Sequence, residues 1–258
     1  MILSHQSQFI FIKTAKVGGT SLELYLNQYR GKNDVFTPHW MNEKKYVAQN
    51  HQCWFNPTNE YAYRYGLKNV PLQYRFNNTH RDFIQRNKYF ENIPAWQLKL
   101  RLPKTIWDSY FKFTIERNPW DKCISRYYQS KLIFEAKYKK ELSFRNWFDF
   151  FSSKLARPWE TQAWGSEAPY NWPRYTDLKS NSILVNHIIR YEDLYEELEI
   201  LCKKWAIPFK NFNQIRSKNN SRPAYTSYQN FFTHEKEPYI EKIALLFKSE
   251  LSHFNYSF

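Results

Sequence analysis

A short apolar run, Phe9-Ile-Phe-Ile12, is cut off by Lys13 and followed at once by a turn holding two of the chain's five glycines. Four apolar residues with no polar alternation read as a strand buried on both faces, as in the middle of a parallel sheet. Beyond the turn, Leu22, Tyr25, Leu26 and Tyr29 fall at helical spacing, and Thr20 with Glu23 three residues later fits a capping box at the helix start. Strand, glycine turn and helix therefore follow one another near the beginning of the chain.

The same order recurs. Phe111-Lys-Phe-Thr-Ile-Glu116 alternates as a strand does. Arg117-Asn118-Pro119 then makes a turn, with Asn118 as N-cap and Pro119 at the first helical position, and Trp120, Ile124, Tyr127 and Tyr128 continue on a helical face. A third strand is expected at His187 to Tyr191, before a helix carrying Leu194, Leu198, Leu201 and Trp205. Phe144, Trp147, Phe148 and Phe151 form a short amphipathic helix behind Ser143, and a last helix runs from about Glu235 to Ser249. No repeat or linker-like stretch divides the chain. The expectation is an α/β fold: a single P-loop-like domain, residues 1–258, with a central parallel β-sheet flanked by helices.

With 258 residues, 42% hydrophobic and 20% aromatic, the chain has the means to build a substantial core, which excludes a disordered or low-complexity protein. Its formal net charge of +14 biases the surface toward anionic partners: nucleic acid, membrane, nucleotide or acidic glycan. Cys53, Cys123 and Cys202 form no CxxC pair, which argues against a disulfide framework or a zinc knuckle and for a reducing compartment. No apolar stretch is long enough for a signal peptide or a membrane span, so a soluble, cytoplasmic protein without integral membrane association is expected.

Where a buried strand turns into a helix through glycines, backbone N–H groups and the helix dipole converge on one spot that suits a phosphate. Gly18 and Gly19 permit close backbone approach, Thr20 and Ser21 add hydroxyls, and Lys16 adds a charge. The order matters. A magnesium-dependent P-loop places its lysine after the glycines, directly before Ser or Thr; here Lys16 precedes Gly18, which argues against such an NTPase and allows a related loop that grips a nucleotide phosphate without a metal. Arg117 ends a strand and Ser125 lies two helical turns beyond, so the pair would clamp a second phosphate. Taken singly, each of these residues is equally read as structural.

Taken together, the two turns resemble those of the membrane-type and bacterial sulfotransferases that use 3′-phosphoadenosine 5′-phosphosulfate (PAPS). FIFIKTAKVGGTSLE is similar to their 5′-phosphosulfate loop, and FKFTIERNPWDKCISRYY to their 3′-phosphate motif. IIRYEDL resembles a later strand–helix junction, and FTHEKEPYIEKIALLFKSELSHFNYSF the C-terminal helix and aromatic end. The resemblance implies transfer of the sulfuryl group from PAPS to a hydroxyl acceptor, with a carbohydrate as the first expectation, by metal-free in-line chemistry that leaves PAP. It implies that Lys16 bonds the bridging oxygen and the transferring group, that Gly18, Gly19, Thr20 and Ser21 cradle the 5′-phosphate, and that Arg117 and Ser125 hold the 3′-phosphate. Arg222 and Tyr225 are further candidate contacts to the nucleotide.

The acceptor also needs a base. The family often carries a histidine before a Pro-Ala pair, but Asn92 stands there in this chain and does not accept a proton. His80 is the first candidate, then Glu91, with His39 and His51 behind them. Segments 31–92 and 158–177 are expected as acceptor-side loops, with Trp164, Tyr170 and Trp172 as possible sugar platforms, although most aromatics must be core. Three other readings stand beside this one: a sulfotransferase-like protein without catalysis that binds nucleotide or glycan, a nucleotide kinase, and a nucleic-acid-binding protein. The last two lack their motifs, so no nucleic-acid partner is expected.

Overall fold

The computed structural model describes residues 1–38, 46–53, 55, 58–66, 88–155, 169–209 and 227–258. Its elements, in chain order, are β1 (Ile2–Ser4), β2 (Phe9–Phe11), α1 (Gly19–Asn27), β3 (Val35–Phe36), α2 (Thr58–Tyr65), α3 (Ala95–Arg101), α4 (Lys104–Ser109) and β4 (Phe111–Glu116). The second half follows with α5 (Pro119–Tyr138), α6 (Phe144–Leu155), α7 (Trp172–Tyr175), β5 (His187–Arg190), α8 (Leu194–Lys204), α9 (Tyr228–Phe231), α10 (Tyr239–Leu246) and α11 (Lys248–Phe254). The fold is α/β, as expected. The sheet order is β3-β1-β2-β4-β5, so the three strands legible in the sequence lie side by side. β2 and β4 run parallel, with Phe9 opposite Phe111 and Phe11 opposite Phe113. β1 and β3 are additions: β1 pairs antiparallel with both β2 and β3. At two and three residues these strands are too short to announce themselves by alternation.

By packing, the chain divides into two compact units. The first comprises Met1–Lys13, Leu22–Thr114 and Pro173–Ile188. Every residue of β2 is buried in it. Ile10 joins Leu3, Ile93, Leu98 and Trp107 in one core cluster, while Phe9 and Phe11 pack against Phe113 at 5.7 and 5.1 Å between ring centroids. A strand covered on both faces has no use for alternation, which is why the run is apolar throughout. Helix α1 starts at Gly19, ahead of the Thr20 expected as its N-cap. Glu23 is buried, and its carboxylate meets the Met1 ammonium and Lys13 Nζ, each at 2.6 Å. A carboxylate with no access to water goes to the nearest cations rather than to a neutral N–H.

The second unit comprises Thr14–Ser21, Ile115–Trp172 and Ile189–Phe258. Its core is aromatic. Phe144 of α6 meets Tyr127, Phe231 and Tyr239 edge-on at 5.1–5.2 Å, and Trp147 stacks on Phe151 at 5.1 Å. Edge-to-face contacts of this kind add to area burial, and they absorb much of the aromatic excess. Asn118 caps α5 as expected, accepting from the N–H groups of Trp120 and Asp121, with Pro119 behind it. Ser143 Oγ likewise accepts from Asn146 N. The expected last helix is instead two, α10 and α11, parted at Phe247, where φ is −109°. All three cysteines are free thiols; burial raises Cys123 and pushes Cys202 up to about 11. No helix among the described residues is long and apolar enough to cross a membrane.

Candidate active site

In the second unit the glycine turn begins at Thr14, whose Oγ1 donates to the Ile115 carbonyl at 2.5 Å. Two residues then adopt left-handed backbone: Lys16 at φ +63° and Gly18 at φ +75°. A lysine costs about 1–2 kcal/mol in that conformation, so the surrounding structure must hold it there. Gly18 has a second reason to be glycine, since a Cβ would lie 3.2 Å from Tyr191 Cε2. Helix α1 starts one residue later, and its first N–H groups have no intrahelical acceptors. Left-handed turns of this sort, leading into a helix N-terminus, gather backbone N–H groups into an anion-binding concavity. Thr20 and Ser21 are half-buried in the first turn of α1.

Arg117 comes into contact with this turn across 101 residues of sequence: its Nη1 donates to the Lys16 carbonyl at 3.2 Å. Its Nε donates to Asp121 Oδ2 at 2.6 Å, and Nη2 pairs with the same oxygen. The guanidinium carbon sits 4.2 Å from the centroid of the Tyr191 ring. Arg117 is thus held by a carboxylate on one edge, a carbonyl at one corner and an aromatic face. Among the described residues these contacts engage each of its three nitrogens.

Ser125 and Gln129 continue the stripe from Arg117 and Asp121 at four-residue steps along α5. Ser125 is half-buried and lies in the second turn of α5. Gln129 Oε1 accepts from Lys16 Nζ at 3.2 Å and from Arg126 Nη1 at 2.9 Å. The structure therefore links Lys16 to Arg117 and to Gln129, and adds Asp121, Arg126 and Tyr191 around them. The sequence offered one signal for the α5 members, their spacing from Arg117; for Tyr191 it offered only a place after β5.

Glu91 belongs to the first unit, where its carboxylate accepts from Lys13 Nζ at 2.6 Å. His51 is also in the first unit, and burial lowers its pKa. Tyr170 and Trp172 are packed inside the second unit, against Phe247 at 5.7 Å and His253 at 5.7 Å. The Trp172 ring is spent on packing rather than offered to a sugar. His39, His80, Trp164, Arg222 and Tyr225 lie outside the described residues.

No protein-family model matches the chain. A protein of Archaeoglobus fulgidus, described only as uncharacterized, is 36% identical over 117 residues, which is 45% of this chain and 84% of that one. Among solved structures, a sulfotransferase from Alicyclobacillus acidocaldarius aligns over 95% of this chain and 98% of that one, at 16% identity and a TM-score of 0.34.

Proposed function

We propose, for a chain that belongs to one family with the uncharacterized Archaeoglobus protein, that the second unit binds PAPS and supports transfer of its sulfuryl group to a hydroxyl acceptor, a carbohydrate in the first instance. The carrying observation is the hydrogen bond from Arg117 Nη1 to the Lys16 carbonyl, which joins two phosphate-type turns far apart in sequence. A nucleotide with separate 5′ and 3′ phosphates needs two such stations side by side. The residues fit that donor: a Cβ at Gly18 would crowd Tyr191 at 3.2 Å and its φ favours glycine, and the second turn presents a guanidinium braced by Asp121 and Tyr191.

In this reading Gly18, Gly19, Thr20 and Ser21 hold the 5′-phosphate, and Arg117 with Ser125 holds the 3′-phosphate. Arg222 and Tyr225 would add contacts from a segment outside the described residues. When bound, the donor supplies an activated sulfuryl group. Lys16 offers a cation where charge grows as the S–O bond to the bridging oxygen breaks, which favours the transition state over the ground state. As the acceptor oxygen bonds to sulfur, its proton passes to a base, His80 or Glu91, and PAP leaves. No metal has a part in these steps.

A second reading, binding of nucleotide or glycan without catalysis, is favoured by one observation: the Glu91 carboxylate is already paired with Lys13. One titration addresses the donor site. The purified protein is mixed with PAP, 5′-AMP or ATP–Mg²⁺ and followed by calorimetry and thermal shift. Selective binding of PAP is expected, with stabilisation of about 2.7 kcal/mol at 100 times Kd. A protein indifferent to PAP, or one preferring ATP–Mg²⁺, would overturn the proposal. Binding of PAP without turnover of PAPS on any hydroxyl acceptor would leave the second reading.

A further inference from the structure

We infer that Asn171 is a positioning residue for the donor site, acting through the backbone of the glycine turn; the inference rests on the donor reading above. Asn171 is fully buried in the second unit, directly before α7. Its side-chain amide clasps Ala15 from both sides across 156 residues of sequence: Oδ1 accepts from Ala15 N at 2.8 Å, and Nδ2 donates to the Ala15 carbonyl at 3.1 Å. Nδ2 also donates to Glu116 Oε1 at 3.3 Å. That same carboxylate oxygen accepts from Arg117 N at 2.9 Å and from Lys122 Nζ at 2.6 Å.

One buried amide therefore ties the residue before Lys16 to the residue before Arg117. The tie explains how Lys16 stays at φ +63°. A left-handed lysine relaxes unless its neighbours are fixed, and the peptide groups of Ala15 are fixed at both their donor and their acceptor. No carbon side chain replaces this clasp, because it takes one acceptor and one donor on a single planar group. The Glu116 end is secured independently by Lys122 and by the Arg117 amide. Loss of Asn171 is thus expected to release the glycine turn and leave the Arg117 turn in place.

Asn171→Ala tests this by calorimetry on the folded full chain. PAP and 5′-AMP should each bind about tenfold more weakly or worse, as two buried hydrogen bonds are lost. The ratio of the two affinities, which reports the 3′-phosphate station, should stay near the wild-type value. A mere loss of stability lowers the melting temperature without moving the affinity of the folded protein. Asn171→Asp supplies the second arm and serves if the alanine variant does not fold. Ionised, the new carboxylate faces the Ala15 carbonyl and Glu116 with no proton to offer; protonated, it donates as Nδ2 did. Its PAP affinity relative to wild type should therefore recover as pH falls. Wild-type affinity in Asn171→Ala, a loss confined to PAP, or an Asn171→Asp protein indifferent to pH would overturn the inference. If the wild-type protein itself does not bind PAP, the donor reading falls first and takes this one with it.

Discussion

The turns after β2 and β4 have the same plan, strand to turn to helix, yet they present their polar groups by different means. The first builds its surface from backbone, through left-handed Lys16 and Gly18. The second has already used the N–H groups of Trp120 and Asp121 on the Asn118 cap. What it offers instead is the guanidinium of Arg117, braced by Asp121, Tyr191 and the Lys16 carbonyl. A backbone station is intolerant of added atoms; a side-chain station is intolerant of removed ones. The comparison thus predicts opposite kinds of damage at two adjacent places.

The largest effect is expected for Lys16→Ala, since in the proposed function this cation acts on charge that develops only during transfer. Turnover of PAPS should fall by about 10²–10³-fold, with PAP affinity changed far less, as read by product formation against calorimetry. Equal losses in both would make Lys16 a binding residue. Arg117→Ala should come next, weakening PAP by roughly 10- to 100-fold, the range for hydrogen bonds to a charged group. Its effect on 5′-AMP should be smaller but measurable, because the Lys16 carbonyl loses a donor. No change toward 5′-AMP would show the two stations to be independent.

Gly18→Ala probes the opposite failure. It places a Cβ 3.2 Å from the Tyr191 ring at φ +75°, and a cost of about 1–2 kcal/mol corresponds to a five- to thirtyfold loss of affinity or stability. Undiminished PAP and 5′-AMP affinity at an unchanged melting temperature would contradict the backbone station.

The last effect is on stability rather than on the site itself, and concerns the support beneath the second turn. There two buried carboxyls, Glu116 and Glu250, share one buried lysine, Lys122, at 2.6 and 3.7 Å. Burial pushes Glu250 up to about 8, with Lys122 pulling it down and Glu116 pushing it up; Cys123 and Tyr170 lie within its field. The folded protein then keeps a proton that the unfolded chain releases above about 4.5. Stability is expected to fall as pH rises through that window to about 8, and to level off above it. Glu250→Gln should flatten this part of the melting-temperature profile. An unaltered slope would assign the pH dependence to another group.

Much of the fold was legible because its signals are local. Phe9 to Phe11 is continuously apolar because both its faces are covered, and the Asn118–Pro119 start of α5 is written in two adjacent residues. Glu23 misled for a physical reason. A glutamate three residues after a threonine is a capping box only if water or a neutral amide is its best partner, and here two cations compete. Trp172 misled likewise, since an aromatic ring suits a sugar or a core equally well until its neighbours are known.

The sequence by itself determined the two turns, because glycine, proline and an N-cap act on their own and adjacent dihedrals. It determined as well the stripe Arg117, Asp121, Ser125 and Gln129, because helical spacing needs no tertiary contact. Only the tertiary structure decided that Arg117 reaches Lys16, that Tyr191 backs both Gly18 and Arg117, and that Asn171 clasps Ala15. Those contacts join residues between 74 and 173 positions apart. Their partners are chosen by how the core packs, and no residue carries that choice in its own chemistry.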